Sequence, residues 1–590
     1  MAADQRGLNR QERRRAQREA RRHGRAGGGV GGPDAALRRA VAAHAEGRTR
    51  DAEAGYRRVL EDEPDHAGAL RLLGLLLDHR AELTEAINGL AAESPAPRRR
   101  GDDDHHAAVA LVALERRADA EQRLRRALDA DPAHAPALVL LSSLRREAGH
   151  VDEAAALARR AVTASDSAEA HRQLGLALGQ QDRVVEAVAA LRRAVELAPA
   201  DAEAWNSLGH LLLEVGELQD AFEAFSRARD LEPGAASLHN NVAVAAQRMG
   251  RYEIALQASK RAIQLDPGNA QYRYNRAFSL LGSGDLRRGW EDFEHGFAIG
   301  ARTPVRDFPV PRWDGAPRPD ATLLIWREQG VGDEIRFASC YADAAARVGR
   351  LVIESDRRLV PLLARSFPAA TVRAQGTGPA TPDFDLHIPA GSLPRFLRRS
   401  LDDFPEHDGY LTVDPRQAAR FRERLDALGP GLKVGISWRS MNLGVQRLSH
   451  YTVLEEWAPV FAVPGLVFVN LQYGVPEQVE AELEALREQR GTVVHRWDDV
   501  DYTDDFDAVA GLISQLDVVV GVGTTPALLA GALGTPTLML ALPDPMAFGQ
   551  ERFPWMPSLR RFPRSWDESW EGPMERIAAE LRARVGSRVG

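Results

Sequence analysis

The sequence contains one cysteine, Cys340, and two lysines, Lys260 and Lys433, in 590 residues. A single cysteine excludes an intramolecular disulfide and any cysteine-cluster metal site, and it fits a reducing compartment. With so little lysine, nearly all of the 76 basic residues are arginine. Arginine abundance of that kind belongs to composition, so no single arginine marks a phosphate site by its presence alone. No apolar run reaches the roughly 18 residues that a membrane-spanning helix needs. The N-terminus lacks the apolar core of a secretory signal. A cytoplasmic location without stable membrane insertion is the expectation. The formal net charge of −8 is small for this length and argues against a dedicated nucleic-acid partner.

What is present is a period. Pro199, Pro233 and Pro267 stand 34 residues apart, and the alanine series Ala187, Ala221, Ala255 and Ala194, Ala228, Ala262 keep nearly the same register. The fullest copy reads Trp205, Leu208, Gly209, Ala221, Phe225, Ala228, Pro233. This is the tetratricopeptide-repeat (TPR) pattern. Small residues let two antiparallel helices approach closely, large ones fill the gap to the next repeat, and proline ends the second helix by removing a donor. About eight repeats are expected over residues 33–300, enough for a stable solenoid. An exposed loop is expected where SPAPRRRGDDDHH, residues 94–106, loses the phase. Residues 1–32 read as an arginine-rich disordered tail, with few apolar residues to offset ordering. Residues 301–319 are proline-rich and read as a linker.

Beyond the linker, short apolar runs alternate with helical stretches. The runs are Leu323–Trp326, Leu351–Glu354, Val434–Trp438, Leu466–Leu471, Val518–Val522 and Thr537–Leu540. Helices are expected over Arg336–Val348, Arg416–Leu428, Thr452–Phe461, Pro476–Glu488 and Thr525–Leu533. Most runs lack in/out alternation, as in parallel strands covered on both faces. The alternation implies βαβ units. Two Rossmann-like lobes are expected, over residues 320–412 and 432–586. The fold class is thus an all-α TPR solenoid followed by an α/β domain of two lobes with a cleft between them.

Three segments carry candidate chemistry. In EQGVGDEIRF, Gly330 and Gly332 permit a tight strand-to-helix turn that exposes backbone amides to an anion. Asp333 stands at the helix start, as a carboxylate facing the cleft or simply as a cap. In GVGTTPALLAGALGTP, Gly523 opens a loop and Thr524 and Thr525 offer hydroxyls and amides at the next helix start. The alternative is a packing motif. In the segment from Val434 to Trp457, Arg439, Ser440 and Asn442 follow a strand into the cleft. There Arg439 and Arg447 are candidates to clamp phosphate, Thr452 with Glu455 to form a capping box, and His450 to be structural. Asp504, Asp505 and Asp507 read as residues flanking a helix start, so no metal site and no cofactor is expected. Asn206 and Asn240, and Asn241 and Asn275, recur one repeat apart on first helices. Their side-chain amides can pair with both N–H and C=O groups of a peptide, or they are solvated polar residues on an exposed face.

TPRs followed by YNRAFSLLGSGDLRRGWEDFE, WDG and EQGVGDEIRF resemble bacterial TPR–glycosyltransferase proteins, over about residues 34–565. The second half is similar to the ADP-heptose heptosyltransferases. The layout is like that of O-GlcNAc transferase and, in size, of TPR-type flagellin glycosyltransferases. The resemblance implies a GT-B fold, a nucleotide-sugar substrate and a protein acceptor held by the repeat groove at serine or threonine. It implies a base at Asp333, and donor contacts from Gly330, Gly332, Arg439, Ser440, Arg447, Gly523, Thr524 and Thr525. It also implies acceptor contacts from Asn206, Asn240, Asn241 and Asn275. The heptosyltransferase pattern has Asp-Thr with a histidine four residues on. Here Gly523, Thr524 and Leu528 stand instead, which leaves open a different donor or a silent domain serving a TPR scaffold.

Overall fold

The computed structural model describes residues 33–46, 48–78, 101–378, 382–440 and 451–589. The chain divides into two compact units, Met1–Pro199 and Ala200–Gly590.

In the first unit, antiparallel helices pack in pairs: Pro33–Ala45 with Thr49–Asp62, Ala135–Glu147 with Val151–Ala164, and Ala168–Gln180 with Val184–Leu197. The small periodic residues form the seams. Ala52, Ala120, Ala127, Ala154, Ala161, Ala187 and Ala194 are fully buried, with Tyr56, Leu124 and Leu191 filling the gaps beside them. Residues 102–106 differ from the expected loop by opening the helix Asp102–Ala113. Three aspartates occupy its first turn, where carboxylates complement the helix N-terminus. His105 is buried behind them with its ring 5.5 Å from that of His134. Residues 94–100, like the tail 1–32, lie outside the described residues.

The second unit opens with six helices, Ala202–Val215, Leu218–Leu231, Ala236–Arg248, Tyr252–Leu265, Ala270–Gly282 and Leu286–Phe293, among the described residues. A four-stranded parallel sheet follows: β1 (Arg318–Trp326), β2 (Val348–Ser355), β3 (Thr371–Ala374) and β4 (Leu386–Pro389), in the order β3-β2-β1-β4. A six-stranded parallel sheet comes next: β5 (Leu432–Ser437), β6 (Leu466–Asn470), β7 (Val494–His495), β8 (Val518–Val522), β9 (Thr537–Ala541) and β10 (Leu559–Pro563). Its order, β10-β9-β8-β5-β6-β7, is that of a doubly wound sheet, reversing between β5 and β8. β5, β8 and β9 are buried along their whole length, as strands covered on both faces are, and their one lysine, Lys433 in β5, donates its amine to the Gly429 carbonyl.

Several local expectations shift. The stretch 336–348 is two short helices, Val331–Ala338 and Tyr341–Ala345, and Val348 already belongs to β2. Thr452 does not cap. Its hydroxyl bonds the Trp438 carbonyl at 3.1 Å and accepts from Trp457 Nε1 at 2.8 Å, while Glu456 rather than Glu455 reaches back, to the Val453 amide. Residues 301–319 form a packed strap. Arg302 and Trp313 are buried, Phe308 lies against Phe384 and His387, and β1 starts at Arg318.

The last repeat and both lobes share one core. Trp290 is 1% exposed and donates Nε1 to the Arg398 carbonyl at 2.8 Å. Its ring lies 6.0 Å from both Phe548 and Trp555, and Trp555 also meets Phe337 and Phe404. The repeats thus hold the Val331–Ala338 helix and the 545–556 segment against each other.

Candidate functional site

In doubly wound sheets a ligand crevice forms at the carboxyl ends of the strands, where strand order reverses. Here the first sheet reverses between β1 and β4, and the second between β5 and β8.

At the first reversal, β1 ends at Trp326 and Glu328 reaches across to the end of β4. Its Oε1 accepts from the Gly391 amide at 3.1 Å and pairs with Arg302. A Cβ at Gly391 would lie 2.3 Å from that oxygen, so a side chain there would push Glu328 from this position. Arg302, fully buried, also bonds Glu294 at 2.8 Å and Ser392 Oγ at 2.9 Å, and Arg312 adds a second pairing to Glu294 and Ser392. Burial opposes ionisation of Glu294, but Arg302 and Arg312 outweigh it and hold that carboxyl below its usual range. At Glu328 burial prevails over the single arginine, Glu294 repels it, and the carboxyl is pushed up. Glu328 Oε2 is buried and meets no donor among the described residues.

The Val331–Ala338 helix begins at Gly330 with two carboxylates in its first turn, and they part company. Glu334 turns inward: it accepts from Ser355 Oγ at 2.6 Å and the Asp356 amide at 3.0 Å, and pairs with Arg327 at 2.6 Å. Asp333 stays at the surface of the turn, its side chain 36% exposed, with Arg336 at 3.2 Å.

At the second reversal, Ser437 Oγ at the end of β5 lies 3.3 Å from Thr524 Oγ1 at the end of β8. Gly523 is exposed and Thr524 buried, and Pro526 sits in the first turn of the Thr525–Ala532 helix. The two helix starts face each other. A Cβ on Gly332 would lie 3.1 Å from Leu528 Cδ1 and 3.9 Å from Thr525 Oγ1. Two helix N-termini, neither capped by a side chain, meet here, and such ends attract anions.

The remaining candidates divide. Arg439 is buried and spends Nε and Nη2 on Glu482, at 3.0 and 3.1 Å, while its amide donates to Gln472. Ser440 receives the Tyr473 hydroxyl at 3.2 Å. Arg447, Asn442 and His450 lie outside the described residues. Asp505 caps the Phe506–Ile513 helix through the Ala508 amide at 2.9 Å. Asp504 and Asp507 pair with Arg358 and Arg365, at 3.3 and 2.9 Å, tying one lobe to the other. Among the described residues no group of three or more His, Cys, Asp or Glu is placed to hold a metal ion.

The asparagines form a ladder between repeats. Asn241 Nδ2 donates to Asn206 Oδ1 at 2.8 Å, and Asn275 Nδ2 donates to Asn240 Oδ1 at 2.9 Å. Gln271 adds a bond to Asn275 at 2.9 Å. Each amide has two donors and two acceptor positions; Asn275 spends one of each, Asn241 Nδ2 also lies 3.3 Å from His210 Nε2, and Asn240 is buried.

Sequence reasoning passed over Glu328, although it begins the motif that names Asp333, and over Arg302, Ser437 and Ser392. No local pattern marks the last three; only strand order brings them to the reversals.

These elements define a chain of tetratricopeptide repeats joined to a two-lobed α/β region. Comparison with known proteins agrees on the repeats: the tetratricopeptide-repeat family models match residues 37–103, 107–169, 172–236 and 236–269. The chain is similar to Protein FlbA of Caulobacter vibrioides, 34% identical over 328 residues, 52% of this chain and 54% of the relative. It thus spans about half the length of that relative. Among solved structures it is similar to YrrB, a TPR protein with an unusual peptide-binding site (24% identity, 29% of this chain and 88% of that one, TM-score 0.26). It is also similar to pilF of Pseudomonas aeruginosa (17% identity, 42% and 97%, TM-score 0.29). No described helix is long and apolar enough to cross a membrane.

Proposed function

We propose that the chain is a metal-independent glycosyltransferase of GT-B form that moves a sugar from a nucleotide-sugar to a serine or threonine of a protein, with flagellin the first acceptor to try. The observation that carries this reading is the convergence of two helix starts at the two strand-order reversals, one bearing a carboxylate that no buried network consumes. In this mechanism Asp333 takes the proton of the acceptor hydroxyl as its oxygen attacks the anomeric carbon. The bond from that carbon to the phosphate oxygen breaks. The departing phosphate is stabilised by the Thr525 amide and the amides of the Gly330 turn, the Thr524 amide being held by the Val522 carbonyl at 2.7 Å. Arg439 has its guanidinium on Glu482 and takes no part in this step. Mixing the chain with flagellin and a panel of nucleotide-sugars should release free nucleotide and add the sugar mass to flagellin.

A second reading, a binding scaffold with a silent transferase-like region, draws on Leu528. This side chain is buried beside Gly332, where the heptosyltransferase pattern has histidine. Release of no nucleotide with any acceptor that co-purifies with the chain would favour it.

Two predictions follow the transferase reading. Transfer should survive EDTA, because Asp504, Asp505 and Asp507 are each committed to a cap or an ion pair. Activity lost on chelation and restored by Mg²⁺ or Mn²⁺ would overturn this. Replacing Asn241 and Asn275 together by Ala removes both ladder donors. Acceptor affinity, read by calorimetry, should fall about tenfold at one to two hydrogen bonds lost, with nucleotide-sugar affinity unchanged.

A further inference from the structure

One position on the first helix of each repeat recurs through the second unit, 34 residues apart: Asn206, Asn240 and Tyr274. At the first two, the side-chain oxygen is taken by the asparagine of the next repeat. At the third there is no next repeat among the described residues, and the chain turns instead through Glu294–Phe297 into Arg302 and β1. Where a third asparagine would have lost its partner, a tyrosine stands.

Its surroundings belong to the candidate site. The Tyr274 ring stacks on Phe293 at 5.6 Å and 27° and meets Phe278 edge-on at 5.1 Å. A Cβ on Gly296 would fall 2.5 Å from Tyr274 Cε2 and 2.9 Å from Arg302, the arginine that holds Glu328. Burial pushes the phenol up, Arg302 opposes this, and Asp333 and Glu328 add to it, so both carboxylates lie within electrostatic reach. A phenol so placed is a hydrogen-bond donor at neutral pH. Tyr274 forms no hydrogen bond among the described residues. With Gln271, Asn275 and Phe278 it lies on one face of its helix, by the spacing of three, four and seven residues.

We propose that Tyr274 is an acceptor-binding residue. It ends the amide track of Asn206, Asn240, Asn241 and Asn275 and donates its hydroxyl to a backbone carbonyl of an extended polypeptide, where that chain leaves the repeats for Asp333. The inference deepens the transferase reading and rests on its acceptor path. It commits the acceptor to an unfolded segment, since only extended backbone offers carbonyls at repeat spacing to a line of side-chain donors.

The test uses the full chain and an array of peptides, each with a central serine or threonine and varied flanks. Tyr274→Phe keeps the ring on Phe293 and removes only the hydroxyl, so its melting temperature should match the wild type. Peptides that bind the wild type should bind Tyr274→Phe about five- to tenfold more weakly, the scale of one hydrogen bond. Equal affinity for both proteins overturns the role of Tyr274. Failure of any peptide to bind the wild type overturns the amide track as well. The bound peptides are then offered UDP-, GDP-, ADP- and CMP-sugars. Transfer with no effect of Tyr274→Phe on binding leaves the transferase reading standing and removes this inference. A binding loss without transfer from any donor keeps the inference and removes the transferase reading.

Discussion

On the proposed transferase reading, Asp333→Asn should lower sugar transfer by about 100-fold or more, the scale of a lost general base, and leave the melting temperature unchanged. The two carboxylates of the Gly330 turn have opposite duties. Glu334 is buried and holds the helix to the end of β2 through Ser355, Asp356 and Arg327. Asp333 touches Arg336 on its own helix, and an asparagine oxygen can accept that same bond. The substitution therefore removes proton-accepting capacity with little else. Initial rates of nucleotide release, taken beside a calorimetric melt, separate the two effects. Wild-type turnover in Asp333→Asn would remove the residue from the mechanism. A loss of turnover accompanied by a large fall in melting temperature would mean that the turn had collapsed, and the role would have to be argued from other variants.

The repeats were legible because their signal is a period: alanines at the seams and prolines at helix ends recur whatever the neighbours are. The apolar runs that became β5, β8, β9 and the buried end of β1 were legible because strands buried on both faces need no alternation. The short edge strands β3 and β7 were not, since two to four half-buried residues leave no pattern. The site was half legible. Gly330, Gly332, Asp333, Thr524 and Thr525 sit in local motifs, and a local motif can be read before the fold is known. Arg302, Glu294 and Ser392 come from three separate segments and meet only because strand order places β4 beside β1. The Asn series was visible as a 34-residue spacing, but spacing could not show that its members bond to one another. Tyr274 broke that series, and a break draws no notice until its neighbours are known.

Trp290→Ala should destabilise the second unit by about 3–5 kcal/mol, the range for deleting a large buried aromatic. The ring is 1% exposed and lies 6.0 Å from both Phe548 and Trp555. Its indole N–H satisfies the Arg398 carbonyl, which would be left buried without that donor. Phe293, Phe337 and Phe404 complete the cluster, so the void borders the last repeat and both lobes at once. One cooperative melting transition should move down, rather than a repeat transition separating from a lobe transition. The same packing makes residues 304–590 a poor fragment. Cutting there strips Trp290, Phe293 and Arg302 from Trp555, Phe337 and Glu328, and leaves a wide apolar face in water with a buried acid unpaired. Expressed alone, that fragment should aggregate or bind a hydrophobic dye, whereas a chain starting at Ala200 keeps the whole cluster and should melt cooperatively. A soluble 304–590 fragment with a sharp melt, or Trp290→Ala melting with the wild type, would show that the lobes fold without the repeats. The repeats would then be a detachable recruiting module rather than a wall of the crevice.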